Sequence, residues 1–131
     1  MINNTQYINR VTIRDAFMPP TAEEISEEFA DCVMLSLCDL FSSYNHVTLA
    51  MQSRDLTTFS TPIGLFRMCT LPQGATNSVA QFMRAVIRVL VGLVLEVCRP
   101  FLDDFCIKGL KTRYNNKLIR LDIRRFIAEH I

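Results

Sequence analysis

An acidic doublet set between two short apolar arms constrains the fold of this chain more than any other feature. Asp103-Asp104 follows Phe101-Leu102 and precedes Phe105-Cys106-Ile107. Apolar arms this short suit strands better than helices, and aspartate is a frequent turn residue. The stretch therefore predicts a β-hairpin with aspartate at its tip, and Arg99-Pro100 before it is expected to end the preceding helix.

Two helices have clear signals. Thr21, with Glu24 three residues later, forms a capping box that begins a short helix. Apolar residues between Val79 and Leu90 recur at i, i+3, i+4 and i+7, which predicts a helix with one buried face, capped by Asn77 or Ser78.

The other segments are assigned from their length and their turn residues. Strands are predicted over Cys32–Cys38, which is expected to be buried and to end on Asp39, and over Val47–Ala50, Thr57–Ser60 and Leu65–Leu71. The last two are expected to form a hairpin through Thr61-Pro62-Ile63-Gly64. Outside the strands we expect an entry strand or loop at Asn3–Pro20, a polar loop at Lys108–Asn116 and a closing helix at Lys117–His130.

Interleaved strands, hairpins and helices favour an α+β fold, a two-layer sandwich with a largely antiparallel sheet and helices on one face. Four glycines cannot form a glycine-rich nucleotide loop of either common type. The longest apolar run, Val89 to Leu95, has seven residues, far below the roughly 20 that a membrane span needs. With no signal-peptide pattern at the N-terminus, we expect an intracellular chain without a membrane partner.

Cysteine spacing and charge exclude some classes of site and leave others open. The five cysteines show no C-x-x-C spacing, and only His46 and His130 could join them around zinc, so reduced and mostly buried thiols are expected. The net charge of +1 divides into −5 for residues 1–58, +2 for 59–98 and +4 for 99–131. The basic C-terminal end could face phosphates, or it could be the solvated face of a helix.

Three aspartates are the candidate chemical groups. Asp39 ends an apolar strand and Asp103-Asp104 lies in an apolar hairpin, where a buried, uncompensated carboxylate costs several kcal/mol. Magnesium binds hard oxygen ligands, and two ions about 3.5 to 4 Å apart suit nucleotidyl transfer. Alternatively, Asp39 caps the turn after its strand and the doublet forms a solvated turn.

Three motifs in register resemble those of retroelement reverse transcriptases. They are DLFSSYNHVTL from Asp39, LPQGATNSVAQF from Leu71 and FLDD from Phe101. The segment STPIGLFRMCTLPQG is similar to the corresponding stretch of gypsy-like long-terminal-repeat retrotransposons in particular. The resemblance runs from about Asn9 to about Asn116.

The resemblance implies a polymerase palm that transfers deoxynucleotides to a primer 3′-hydroxyl. It assigns Asp39 and Asp103 as the main ligands of two magnesium ions, with manganese as an alternative. Asp104 is implied to be a third carboxylate beside them, and the backbone carbonyl of Leu40 an added ligand.

The resemblance also implies a nucleotide pocket. Tyr44 would lie under the sugar and exclude a 2′-hydroxyl, Phe41 would line the pocket, and Gln73 would hydrogen-bond near the sugar and triphosphate. Ser43 stands where the family usually has glycine, which would adopt a positive φ at lower cost.

The resemblance implies a partial domain: residues 1–30 a fringe of the fingers, 31–116 the palm and 117–131 a C-terminal helix. The implied partners are an RNA or DNA template with its primer, deoxynucleoside triphosphates, and a Pol polyprotein with thumb, RNase H and integrase. The implied location is a cytoplasmic particle or the nucleus. Two alternatives stay open: a catalytically silent remnant of a decayed element, and a regulatory module that binds through the basic end.

Overall fold

A computed structural model describes residues 5–120 and 123–130, and its contacts divide the chain into two compact units. Unit 1 holds the described residues of Met1–Pro19 and Leu40–Val89. Unit 2 holds those of Pro20–Asp39 and Leu90–Ile131. Helices and antiparallel strands both occur, as an α+β fold requires.

Unit 2 is built on a three-stranded antiparallel sheet. Its strands are β1 (Leu35–Asp39), β4 (Cys98–Phe101) and β5 (Asp104–Lys108), in the order β1-β5-β4. Strands β4 and β5 form the hairpin predicted around the acidic doublet, with Phe101 opposite Asp104. Pro100 lies in β4 itself, at the edge of the sheet, where a residue without an N–H is tolerated.

Helix α2 (Ala22–Phe29) belongs to the same unit and begins as predicted. The Thr21 side chain accepts a hydrogen bond from the Glu24 amide, and the Glu24 carboxylate accepts one from the Thr21 amide. At the other end of the helix, Glu28 lies 2.8 Å from the Lys108 Nζ and 3.6 Å from the Arg99 Nε. One carboxylate therefore ties the helix to both strands of the hairpin.

Unit 1 contains the long helix α4 (Ser78–Val89), in which Phe82 and Met83 are buried as the periodicity predicted, together with Ala80. It also contains α1 (Gln6–Val11), α3 (Met51–Arg54) and the hairpin of β2 (Phe59–Thr61) and β3 (Gly64–Phe66). The hairpin turns at Pro62-Ile63, with Thr61 opposite Gly64.

Several segment predictions were wrong. Helix α1 replaces part of the entry strand or loop, and Arg99-Pro100 continues a strand, since α4 has already ended at Val89. Thr48 and Thr70 form only an isolated bridge where strands were expected. The described part of the closing helix forms instead β6 (Leu118–Arg120), β7 (Ile123–Arg124) and the four-residue α5 (Arg125–Ala128).

Burial also differs from expectation. Strand β1 is not buried, because Leu35 is 50% and Leu37 62% exposed. All five cysteines are free, as expected, yet only Cys98 is buried and Cys69 is exposed. No helix among the described residues combines the length and apolarity needed to cross a bilayer.

A bidentate ion pair fastens the extended segment after α1 to helix α4. Arg84 donates to both carboxylate oxygens of Asp15, one of them 2.7 Å away, and its guanidinium lies 5.5 Å from the centre of the Phe17 ring. The Asp15 side chain is only 17% exposed. The Arg84 hydrogen bond, helped by the Phe17 amide, holds the pKa of Asp15 below its ordinary value.

A lowered pKa predicts that this ion pair stabilises the fold above about pH 4, the ordinary pKa of aspartate. The contribution is lost as pH falls through the lower pKa of the folded state. In urea titrations, Asp15→Asn should therefore be clearly less stable than the parent at pH 7, and the difference should shrink toward pH 2. Asp55→Asn, which breaks the exposed pair with Arg67, is the matched control and should change little. An Asp15→Asn deficit that persists at pH 2 would contradict the assignment.

Candidate active site

Asp39 and Asp104 lie directly opposite each other on strands β1 and β5. Directly opposed residues of an antiparallel pair project from the same face, with Cβ atoms about 4.5 to 5.5 Å apart. Asp39 is exposed and Asp104 half-buried. The register of the sheet thus brings two of the three predicted carboxylates together on a solvated face.

Asp103 stands at the tip of the hairpin, in the two-residue turn between Phe101 and Asp104. Its turn partner Leu102 has φ +56°, in a position that glycine usually occupies in tight hairpins. The Asp103 side chain is exposed. The turn therefore holds Asp103 next to the opposed pair at a cost in backbone strain.

The donor chemistry of these residues fits magnesium, since all three offer carboxylate oxygens. Across the described residues, no group of three His, Cys, Asp or Glu side chains is placed to hold one metal ion together. Asp103 lies in the turn, beyond the strand position that Asp39 faces. Convergence of all three carboxylates on metal remains a prediction.

Cys106 lies two residues from Asp104 on the same strand. Burial raises the pKa of the Cys106 thiol, and the negative charge of Asp104 raises that pKa further. A raised pKa makes the thiolate, the form that binds metal or attacks as a nucleophile, scarcer at neutral pH.

The residues that follow β1 along the chain belong to unit 1 and form a tight turn. The Leu40 carbonyl accepts a hydrogen bond from the Ser43 amide at 3.0 Å, and Phe41 is 86% exposed. The positive φ expected near Ser43 falls instead on Ser42, at +54°. Ser43 is buried inside the 3-10 helix Ser43–His46, so serine replaces glycine there without positive-φ strain.

Tyr44 is held by helix α4. Its ring centre lies 5.0 Å from that of Phe82 with the planes tilted by 34°, and Phe82 is only 4% exposed. Aromatic pairs of this geometry add about 0.5 to 1.5 kcal/mol beyond burial. Two residues later along the chain, the His46 Nε2 donates to the Phe41 carbonyl at 3.2 Å, and His46 is exposed.

Gln73 projects from the turn between Pro72 and α4 and is exposed. This turn is fixed from the N-terminal helix by Thr5 and Asn9, both of which bond to the Gly74 carbonyl at 2.9 Å. No pattern in the sequence marks these two residues, because polar side chains in or beside a short surface helix are not distinctive. Thr5 and Asn9 lie 69 and 65 residues from Gly74 in the sequence, so rules based on neighbouring residues do not predict the contact.

The model of the family described as "Reverse transcriptase (RNA-dependent DNA polymerase)" matches residues 4–129. The chain belongs to the reverse transcriptase family. The activity in the description of that family is the one that the motifs implied.

Individual relatives confirm the gypsy-like resemblance. The Pol polyprotein of transposon gypsy from Drosophila melanogaster is 31% identical over 100 residues, which cover 76% of this chain and 10% of that polyprotein. The Pol polyprotein of transposon 297 from the same organism is 29% identical, over 76% of this chain and 9% of its own length. The chain thus spans about a tenth of these relatives.

A solved structure shows the same fold. A mutant of the Prototype Foamy Virus Protease-Reverse Transcriptase matches this reverse transcriptase chain with a TM-score of 0.70 at 20% identity, covering 79% of this chain and 14% of the viral one. The likeness confirms the α+β, palm-like fold.

The strain at Leu102 can be measured in the chain itself. Leu102→Gly and Leu102→Ala both lose the side chain, but only glycine adopts a positive φ without a Cβ clash. Leu102→Gly should therefore unfold at higher urea than Leu102→Ala, by about 1 kcal/mol in the free energy of unfolding. Equal stability of the two variants would show that the turn is unstrained.

Proposed function

We propose that this chain is the palm part of a polymerase that joins a deoxynucleoside triphosphate to a primer 3′-hydroxyl and releases pyrophosphate. The observation that carries the proposal is the register of β1 and β5, which opposes Asp39 and Asp104, with Asp103 in the adjoining turn. The alternative interpretation of the doublet as an ordinary solvated turn does not explain why Asp39 stands opposite it.

Asp39, Asp103 and Asp104 would hold two magnesium ions, or manganese in their place, and the Leu40 carbonyl would add an oxygen. Bound there, the metals would stabilise negative charge on the attacking and leaving oxygens. The carboxylates would contribute by fixing the ions on a solvated face that an incoming triphosphate can reach.

Tyr44, Phe41 and Gln73 would form contacts to the incoming nucleotide. Tyr44 has the rigidity that this role needs, because its ring rests on the buried Phe82. Phe41 and Gln73 are exposed and available for contact. A ring held firmly under the sugar would exclude a 2′-hydroxyl by its bulk.

The remaining parts of the activity are proposed for a longer polypeptide. We propose that residues 1–30 are a fringe of the fingers and 31–116 the palm. The template and primer would then be held together with thumb, RNase H and integrase segments of a Pol polyprotein, in a cytoplasmic particle or the nucleus. The alternative, a silent remnant, differs in predicting that no such extension restores activity.

The 131-residue chain alone should show little or no primer extension with magnesium, template, primer and deoxynucleotides, because catalysis of this kind depends on positioning the reacting groups. A longer polypeptide that adds the flanking segments should extend the primer, and Asp103→Asn should abolish that extension. Gel assays of both polypeptides make the comparison.

Two results would contradict the proposal. Full activity of the longer Asp103→Asn variant would remove the role of the carboxylate. An inactive longer polypeptide that binds primer and template normally would favour the silent remnant.

Sugar selection gives a separate test of Tyr44. In the longer polypeptide, Tyr44→Ala should raise ribonucleotide incorporation by roughly tenfold or more relative to deoxynucleotide incorporation, because the ring no longer fills the space of the 2′-hydroxyl. Tyr44→Phe, which keeps the ring, is the matched control and should discriminate like the parent. Equal discrimination by Tyr44→Ala and the parent would exclude the assignment.

A further inference from the structure

The turn that carries Gln73 is held by hydrogen bonds from a distant helix. The Gly74 carbonyl accepts bonds from the Thr5 hydroxyl and the Asn9 amide nitrogen, each at 2.9 Å. The Asn9 side-chain oxygen accepts a third bond from the Thr76 amide at 2.8 Å. Asn9 thus contacts the turn on both sides of Ala75.

A second asparagine fastens the far end of the same turn. Asn77 donates to the Ile13 carbonyl at 2.9 Å and accepts from the Asp15 amide at 3.0 Å. It was predicted as a possible helix cap, and its side chain instead joins the turn to the segment after α1. Asp15 is itself clamped by Arg84, so this end of the turn is tied to helix α4.

Packing alone does not support the turn. A cavity of about 230 Å³ lies beside it, lined by residues of the turn, of α1 and of the α3 region. Pro72, Ala75 and Thr76 form part of its wall, as do Ile8 and Leu56. Side chains next to a cavity lose contacts on that side. The polar bonds therefore add restraint that packing on this side does not supply.

We propose that Asn9 is a positioning residue for nucleotide binding, acting through the turn that presents Gln73. The proposal rests on the proposed role of Gln73. Asn9 bonds to Gly74, the residue directly after Gln73, and to Thr76, three residues after it. Gly74 has φ +91°. Glycine adopts positive and negative φ about equally readily, so its own backbone preference does not fix this conformation and an external restraint is needed.

The clamp itself is tested in the 131-residue chain by hydrogen exchange of the Thr76 amide. Asn9→Ala removes its acceptor and should speed exchange by about tenfold. Asn9→Asp keeps the acceptor oxygen for Thr76 but loses the donor to the Gly74 carbonyl, so it should restore protection only in part. Thr12→Ala, which loses a bond from the same helix to the Ile8 carbonyl and none to the turn, is the matched control. Unchanged exchange in Asn9→Ala, or equal loss in Thr12→Ala, would overturn the proposal.

The link to nucleotide binding is tested in the longer polypeptide with a cycle of Asn9→Ala, Gln73→Ala and the double variant. We expect Asn9→Ala to raise the KM for deoxynucleotide several-fold with a smaller change in kcat, and to add little once Gln73 is absent. Additive effects on KM would overturn the positioning role.

Two further outcomes are distinguishable. If Gln73→Ala leaves KM unchanged, the proposed role of Gln73 fails and the positioning role of Asn9 fails with it, while the exchange result still reports on the clamp. If Asn9→Ala does not fold, Thr5→Val takes its place in the cycle, since it keeps its shape and loses one bond to Gly74. Additivity of Thr5→Val with Gln73→Ala would then overturn the proposal.

Discussion

The candidate catalytic face of unit 2 depends on one constraint, the register of β1 against β5. Side chains alternate between the two faces of a strand, so a slip of one residue would move Asp39 to the opposite face from Asp104. Two contacts oppose such a slip. The Val33 amide bonds to the Leu110 carbonyl at 2.9 Å beyond the paired strands, and Ser36 bonds to His130 at 2.8 Å. The two-residue turn then fixes β4 against β5, so the position of Asp103 follows from the same sheet.

In unit 1, Gln73 lies on a turn that has no paired strands on both sides, so the position of this turn is fixed in another way. Backbone groups in such turns need partners, in the protein or in water. Asparagine can donate and accept at once, which suits it to bridge a carbonyl and an amide of the same turn. Asn9 does this within the turn. Asn77 uses the same pair of groups to join the turn to the carbonyl of Ile13 and the amide of Asp15. The buried Ser78 hydroxyl donates a hydrogen bond to the Pro72 carbonyl at 2.6 Å, which joins the turn to the start of α4.

Local signals explain what the sequence could predict. The hairpin at Asp103, the capping box at Thr21 and helix α4 each depend on residues a few positions apart. The closing helix was predicted from Ile119, Ile123 and Ile127, which repeat every four residues, and this prediction was wrong. Strands β6 and β7 pair instead. Arg125 lies 2.6 Å from Glu129 and 4.2 Å from the centre of the Tyr114 ring. Family resemblance implied that Asp39 acts together with Asp103 and Asp104, but the direct opposition of Asp39 and Asp104 was not predicted. The clamp by Asn9 and Thr5 had no signal, since nothing local marks a contact across about half the chain.

The exposure of the aspartates changes the energetic argument for the metal. The sequence suggested carboxylates trapped in apolar strands, which would need a cation to offset their desolvation. In the structure Asp39 and Asp103 are exposed, beside the half-exposed Leu35 and the more exposed Leu37. A solvated carboxylate has no such cost, so Asp39 and Asp103 need no ion to offset their burial. The fold would therefore not depend on the proposed ions, unlike that of zinc fingers, which requires the metal.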